Sequence, residues 1–174
     1  MRRAGCDGSR RASGWNRRYG HADGPKAPEK RLPTPFLSRE VFLSYAHEDV
    51  AMAESVSDRI VQEKWSVFWD REIPVGLTWD DIVEGALDAA KCVVVLWSPA
   101  ASNSEWVRIE AAEGADRGIL APALIEETKI PLRFRRIQAA NLVGWTPGSQ
   151  DTPGMRALVS AIGRCVRDGK GSPA

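Results

Sequence analysis

From Val41 onward the chain alternates short apolar runs with longer stretches in which apolar side chains recur every three or four positions. Val41-Phe42-Leu43-Ser44-Tyr45 is short, apolar and β-forming, and predicts a buried strand. Val50, Ala53, Val56, Ile60 and Val61 then fall on one stripe, with Glu54, Asp58, Arg59 and Glu63 elsewhere; this predicts an amphipathic helix with Asp49 as its N-cap. Trp65 to Trp69 predicts a second strand. Asp70 to Thr78 holds Pro74 and Gly76 and reads as a loop. Trp79 to Ala90 predicts a helix with Trp79, Ile82, Val83, Ala86 and Leu87 on its apolar side. Cys92 to Trp97 is a continuous apolar run of strand length, which requires cover on both faces and so belongs at the centre of a parallel sheet.

Ser98 to Ser104 reads as a loop, and Ser102-x-x-Glu105 has capping-box spacing ahead of a helix that runs to about Arg117, where Gly118 stops it. Ile119 to Ile125 predicts a fourth strand despite Pro122. Glu126 to Arg136 is a loop, and Ile137 to Val143 a short fifth strand at an edge. Gly144 to Gly154 is turn material, and Met155 to Val166 a closing amphipathic helix. Strand and helix alternate with short connections, which predicts an α/β fold: a flavodoxin-like three-layer sandwich, with a central five-stranded parallel sheet flanked by helices. Ligands of such sheets bind beyond the carboxyl ends of the strands. That edge collects Ser44 to Asp49, Asp70 to Thr78, Ser98 to Ser104 and Glu126 to Pro131.

Composition adds limits to this pattern. The 174 residues are 43% hydrophobic and 27% charged, as expected of a globular domain with a tail. No apolar stretch approaches the roughly 18 residues that a membrane-crossing helix needs. The net charge of +1 gives no support to nucleic-acid binding through bulk charge. It hides an asymmetry: residues 1–35 carry nine basic and three acidic side chains, and the rest carry 15 and 20. Residues 1–35 also hold five glycines and four prolines and almost no aliphatic side chains, so they read as a disordered, solvated tail, or as the product of a start codon placed too far upstream. Residues 169–174 read as a disordered end and 36–168 as the domain. Cys6, Cys92 and Cys165 are far apart and there are two histidines; no zinc ribbon or disulfide framework is expected, and a reducing, cytoplasmic setting follows.

Several kinds of chemistry lack their motifs. There is no GxGxxG after the first strand, no GxxxxGK[ST] and no GxSxG. Ser44 and His47 are close in sequence, but no triad follows from that. A phosphate-receiving domain of this architecture needs a lysine at the end of a later strand, which is missing here.

Val41 to Asp49 (VFLSYAHED) resembles the first box of a Toll/interleukin-receptor (TIR) domain in its bacterial form. Trp65 to Gly76 (WSVFWDREIPVG), with Trp79 three residues on, resembles the family's second strand and BB loop. Cys92 to Pro99 (CVVVLWSP), Ser104 to Glu110 (SEWVRIE) and Ile137 to Trp145 (IQAANLVGW) resemble its third strand, the start of its third helix and its last strand. The resemblance covers residues 38 to 168 in order.

What this resemblance implies is specific. Many TIR domains cleave NAD+ at the nicotinamide–ribose bond with a glutamate in a WxxxE pattern, and Trp106-x-x-x-Glu110 matches it. Glu110 is thereby the expected catalytic residue and Trp106 a substrate-binding one; a spacing of four puts them on one helical face. Ser44 and Tyr45, with Asp70 and Gly76 framing the BB loop, are further expected substrate-binding positions. Ile73 and Pro74 are expected in the loop that mediates assembly with other TIR domains. NAD+ is the substrate, no other cofactor and no metal is implied, and the expected partners are other TIR domains and a separate sensor protein. Prokaryotic relatives act in NAD-depleting or signalling systems, often antiphage defence. The alternative is a non-catalytic adaptor that works by TIR–TIR association. On the residues alone, Glu110 beside Glu105 and Glu113 reads as a solvated charge, and Trp106 as core packing.

Overall fold

The computed structural model describes residues 39–69, 79–148 and 151–168. The readings of the tail (1–35), of the far end (169–174) and of Asp70, Ile73, Pro74 and Gly76 fall outside the described residues, as does the side chain of Trp79.

Five parallel strands make one sheet: β1 (Val41–Ser44), β2 (Val67–Phe68), β3 (Cys92–Trp97), β4 (Leu120–Leu124) and β5 (Ala140–Asn141), in the order β2-β1-β3-β4-β5. The pairing is parallel throughout, with Val41 opposite both Val67 and Cys92, and Val93 opposite Leu120. The sheet and its flanking helices are those of the expected flavodoxin-like α/β fold. The continuous apolar run of β3 lies at the centre, its six side chains all buried. Strand order reverses between β1 and β3, the kind of place where doubly wound sheets bind ligands.

Alternation along each strand feeds two cores, one on each face. Val41 and Leu43 of β1 and Cys92, Val94 and Leu96 of β3 pack with α1 (Val50–Gln62) and α5 (Pro153–Asp168). Phe42 and then Val93, Val95 and Trp97 face the other way, toward α2 (Trp79–Ala89), α3 (Pro99–Asn103) and α4 (Glu105–Asp116). Burying each such aliphatic side chain contributes about 1.5–3 kcal/mol. Cys92 and Cys165 are free and buried.

Some local expectations change. The strand expected over Trp65 to Trp69 is confined to Val67–Phe68, and the one expected over Ile137 to Val143 to Ala140–Asn141; both are edge strands, held from one side only. Ser98 to Ser104 is a short helix rather than a loop, since the Ser98 hydroxyl caps it by accepting from Ala101 N–H. Ser104 is then the N-cap of α4, accepting from Val107 N–H at 3.3 Å, so Ser102 and Glu105 form no capping box. Asp49 gives no cap bond to α1, because its carboxylate turns to Ser98. Val61 is exposed, and Ser57 takes its place in the buried stripe of α1. Gly118 ends α4 as expected, at φ 67°, where only glycine sits without strain.

Candidate active site

Ser44 is the last residue of β1. It shares the parity of Phe42, so its side chain faces α4 rather than α1. On α4 the buried positions are Val107, Glu110, Ala111 and Gly114, a stripe at helical spacing that seats the helix on the sheet. The close approach is visible at Gly114, where an added Cβ would lie 2.8 Å from Val93 Cβ. Glu110 is thus carried within a stripe that packs on β1, β3 and β4, and is only 5% exposed. The Ser44 hydroxyl, itself 2% exposed, donates to Glu110 Oε2 at 2.5 Å.

Burial pushes the Glu110 carboxyl up to about 7, because removal from water penalises the charged form. Hydrogen bonding by Ser44 and then by Trp106 pulls the other way, in favour of the carboxylate. The net effect is a buried acid that changes charge near neutrality. A strongly shifted acid at a cleft is a mark of functional sites.

Above this pair opens a cavity of about 410 Å³, within the range of small-molecule sites. Ser44, Tyr45, Trp106 and Glu110 all line it, so four of the residues expected at a site meet in one place. Trp106 is 42% exposed; it is a wall of this cavity and not the packing residue that its type alone suggests. Among the described residues Phe42, Leu43, His47, Phe68, Trp69 and Val83 also line it. Phe68 and Trp69 were legible only as strand residues, yet Phe68 stacks on Phe42 at 5.5 Å and Trp69 tilts against Tyr45 at 6.4 Å. A pair of aromatics at the carboxyl end of a strand, the end at which such sheets bind ligands, is the signal that marks them.

A second polar pair stands nearby. Ser98 Oγ donates to Asp49 Oδ2 at 2.5 Å, and Asp49 is pushed up from the usual carboxylate range by burial, against the pull of that bond and with help from Glu126 and Glu48. Among the described residues no group of three or more His, Cys, Asp or Glu side chains is placed to hold a metal ion. The cavity offers flat apolar and aromatic walls for a ring, and at its base one titratable carboxylate already oriented by a hydroxyl.

The family model described as "TIR domain" matches residues 41–159. The chain belongs to the TIR domain family. No curated protein sequence matches it significantly. Its structure is similar to the TIR domain of the Toll-related receptor TRR-2 from Hydra magnipapillata (TM-score 0.55, 15% identity, covering 60% of this chain and 84% of that one). It is also similar to a metazoan TIR-STING receptor from C. gigas in complex with 2′,3′-cGAMP (TM-score 0.57, 22% identity), over 72% of this chain and 39% of that longer one. The TIR domains of the activated Roq1 resistosome, which directly recognises the pathogen effector XopQ, give a TM-score of 0.51 at 14% identity over 75% of this chain and 96% of theirs. TIR domains self-associate, and the family includes NAD-cleaving enzymes. Among the described residues of this TIR domain, no helix is long and apolar enough to cross a membrane.

Proposed function

We propose that this TIR domain is an NAD+ glycohydrolase. The observation that carries the reading is the Glu110 carboxyl: buried at the base of an aromatic cavity, bonded to Ser44, flanked by Trp106 and poised near neutrality. In the reaction the bond between C1′ of the ribose and the pyridinium nitrogen breaks. The bonding pair goes to the nitrogen, and nicotinamide leaves neutral, so strong acid catalysis is not required. The ribose is left electron-poor at C1′. Ionised Glu110 stabilises that positive charge and accepts hydrogen bonds from the ribose hydroxyls. Water adds to C1′ and loses a proton, giving ADP-ribose; attack by a group of the same molecule gives a cyclic isomer instead. Trp106 and Phe68 offer faces for the leaving ring.

The setting that goes with this reading is a cytoplasmic, prokaryotic signalling or antiphage system in which a separate sensor and self-association switch the enzyme on. The test is incubation of concentrated protein with NAD+ and separation of the nucleotide products. Nicotinamide appears with the native chain and not with Glu110→Ala. The adaptor reading draws on the self-association of TIR domains, and it is favoured instead if Glu110→Ala leaves the biological output intact while products never form.

A further inference from the structure

A second groove, of about 480 Å³, runs between α2 and α4 on the far side of Trp106 and Glu110. Its floor is apolar, with Val83, Leu87 and Ile109, and Ile109 is 53% exposed. Its rims are acidic: Glu84 and Asp88 on α2, Glu113 and Asp116 on α4. Among the described residues the carboxylates of Glu84, Asp88 and Glu113 have no ion-pair partner. Asp116 does: Arg133 reaches it at 2.6 Å from the segment that follows β4.

That segment carries the opposite character. Leu132 is 76% exposed, the most exposed large apolar side chain among the described residues. The same segment also holds the exposed cations Lys129, Arg135 and Arg136, against the exposed acids Glu126 and Glu127 at its start. Arg135 also donates to the Ile130 carbonyl at 2.7 Å, which fixes the segment's shape without cancelling its charge. An exposed apolar knob in a segment of net positive charge therefore lies at one flank of α4, and an apolar groove rimmed by carboxylates at the other. Asp116 belongs to both, lining the groove and holding the knob through Arg133.

Two complementary patches joined at one residue make a surface complementary to its own copy. If the knob of one chain enters the groove of a second, a two-fold axis near Asp116 brings the second chain's knob to the first chain's groove. We propose that the occupant of this groove is Leu132 of a second copy of this chain, in a closed, isologous pair built on α4. Cations then face carboxylates on both sides of the axis, and Ile109 and Leu132 lose their water together. The pairing does not depend on any catalytic activity.

The test is sedimentation of the full chain across a concentration range. The expected result is a monomer–dimer equilibrium that weakens as salt is raised. Leu132→Asp is expected to weaken it about a hundredfold or more, since the pair loses two buried leucines at once. Leu132 is exposed, so this variant keeps the native circular dichroism. Ile109→Arg is expected to be monomeric as well, and an equimolar mixture of the two variants to dimerise better than either alone, because a mixed pair retains one intact knob and groove. A monomer at every concentration, a dimer indifferent to Leu132→Asp, or a ladder of ever longer assemblies would each overturn the proposal.

Discussion

Glu110 owes its character to where the helix places it. A carboxyl with an ordinary value of 4.5 is moved up to about 7 by burial, so the folded chain holds that proton more tightly than the unfolded chain does. The sign follows: stability is full below about pH 4.5 and falls as pH rises toward 7, by about 3 kcal/mol. Glu110→Gln removes the ionisation and keeps the shape. Urea titrations are expected to show this variant matching the native chain at pH 4.5 and exceeding it at pH 8; equal midpoints at both pH values would show a solvated carboxyl. Ser44 acts in the opposite sense, since its hydroxyl favours the ionised form. Ser44→Ala is expected to move the pH at which Glu110 ionises upward and to cost about 1–3 kcal/mol at pH 8, where a charged acceptor loses its donor. NMR titration of the Glu110 side chain reads the first effect and urea titration the second.

At the scale of the element, α4 carries the proposed catalytic pair, and its seat on the sheet is tight. Gly114→Ala puts a Cβ 2.8 Å from that of Val93 and is expected to lift α4 from β3. The overpacking costs about 1–3 kcal/mol and outweighs the gain in helix propensity, so a lower melting temperature is the expected outcome, with higher stability the contrary one. Ser104→Ala removes the cap of α4 and is expected to cost about 1 kcal/mol by denaturant titration. The same element shows what a sequence makes legible. The strand–helix alternation and the buried run of β3 followed from apolar spacing alone, because a fully covered central strand tolerates no polar side chain. The caps did not, because Ser98, Ser102 and Ser104 are chemically alike and only the short helix between them decides which hydroxyls face a free N–H. Glu110 was read from residue type as a solvated charge. The contrary signal was present: Val107, Ala111 and Gly114 place it inside the one small-residue stripe of that helix. The WxxxE resemblance pointed to it first. Phe68 and Trp69 escaped notice as cavity walls because a two-residue edge strand gives no periodicity to show which way they face.

Across the whole molecule, the sheet divides the labour between its faces. One face is closed by α1 and α5 over an aliphatic core. The other carries α2 and α4, with the aromatic cavity at the strand ends and the acidic groove alongside, sharing Val83, Trp106 and Glu110 as a common wall. A copy docked in the groove would therefore bear on the back of the proposed catalytic pair, which would tie assembly to the cavity through the three shared residues. In the proposed reaction the Glu110 carboxylate faces the ribose of NAD+. The measurement that tests it most directly is the pH dependence of nicotinamide release from NAD+, as kcat/KM, for the native chain and Glu110→Gln. Release by the native chain is expected to rise through a pH of about 7 to a plateau as Glu110 ionises, and Glu110→Gln is expected to release none at any pH. A rate independent of pH through neutrality, or a Glu110→Gln variant as active as the native chain, would contradict it.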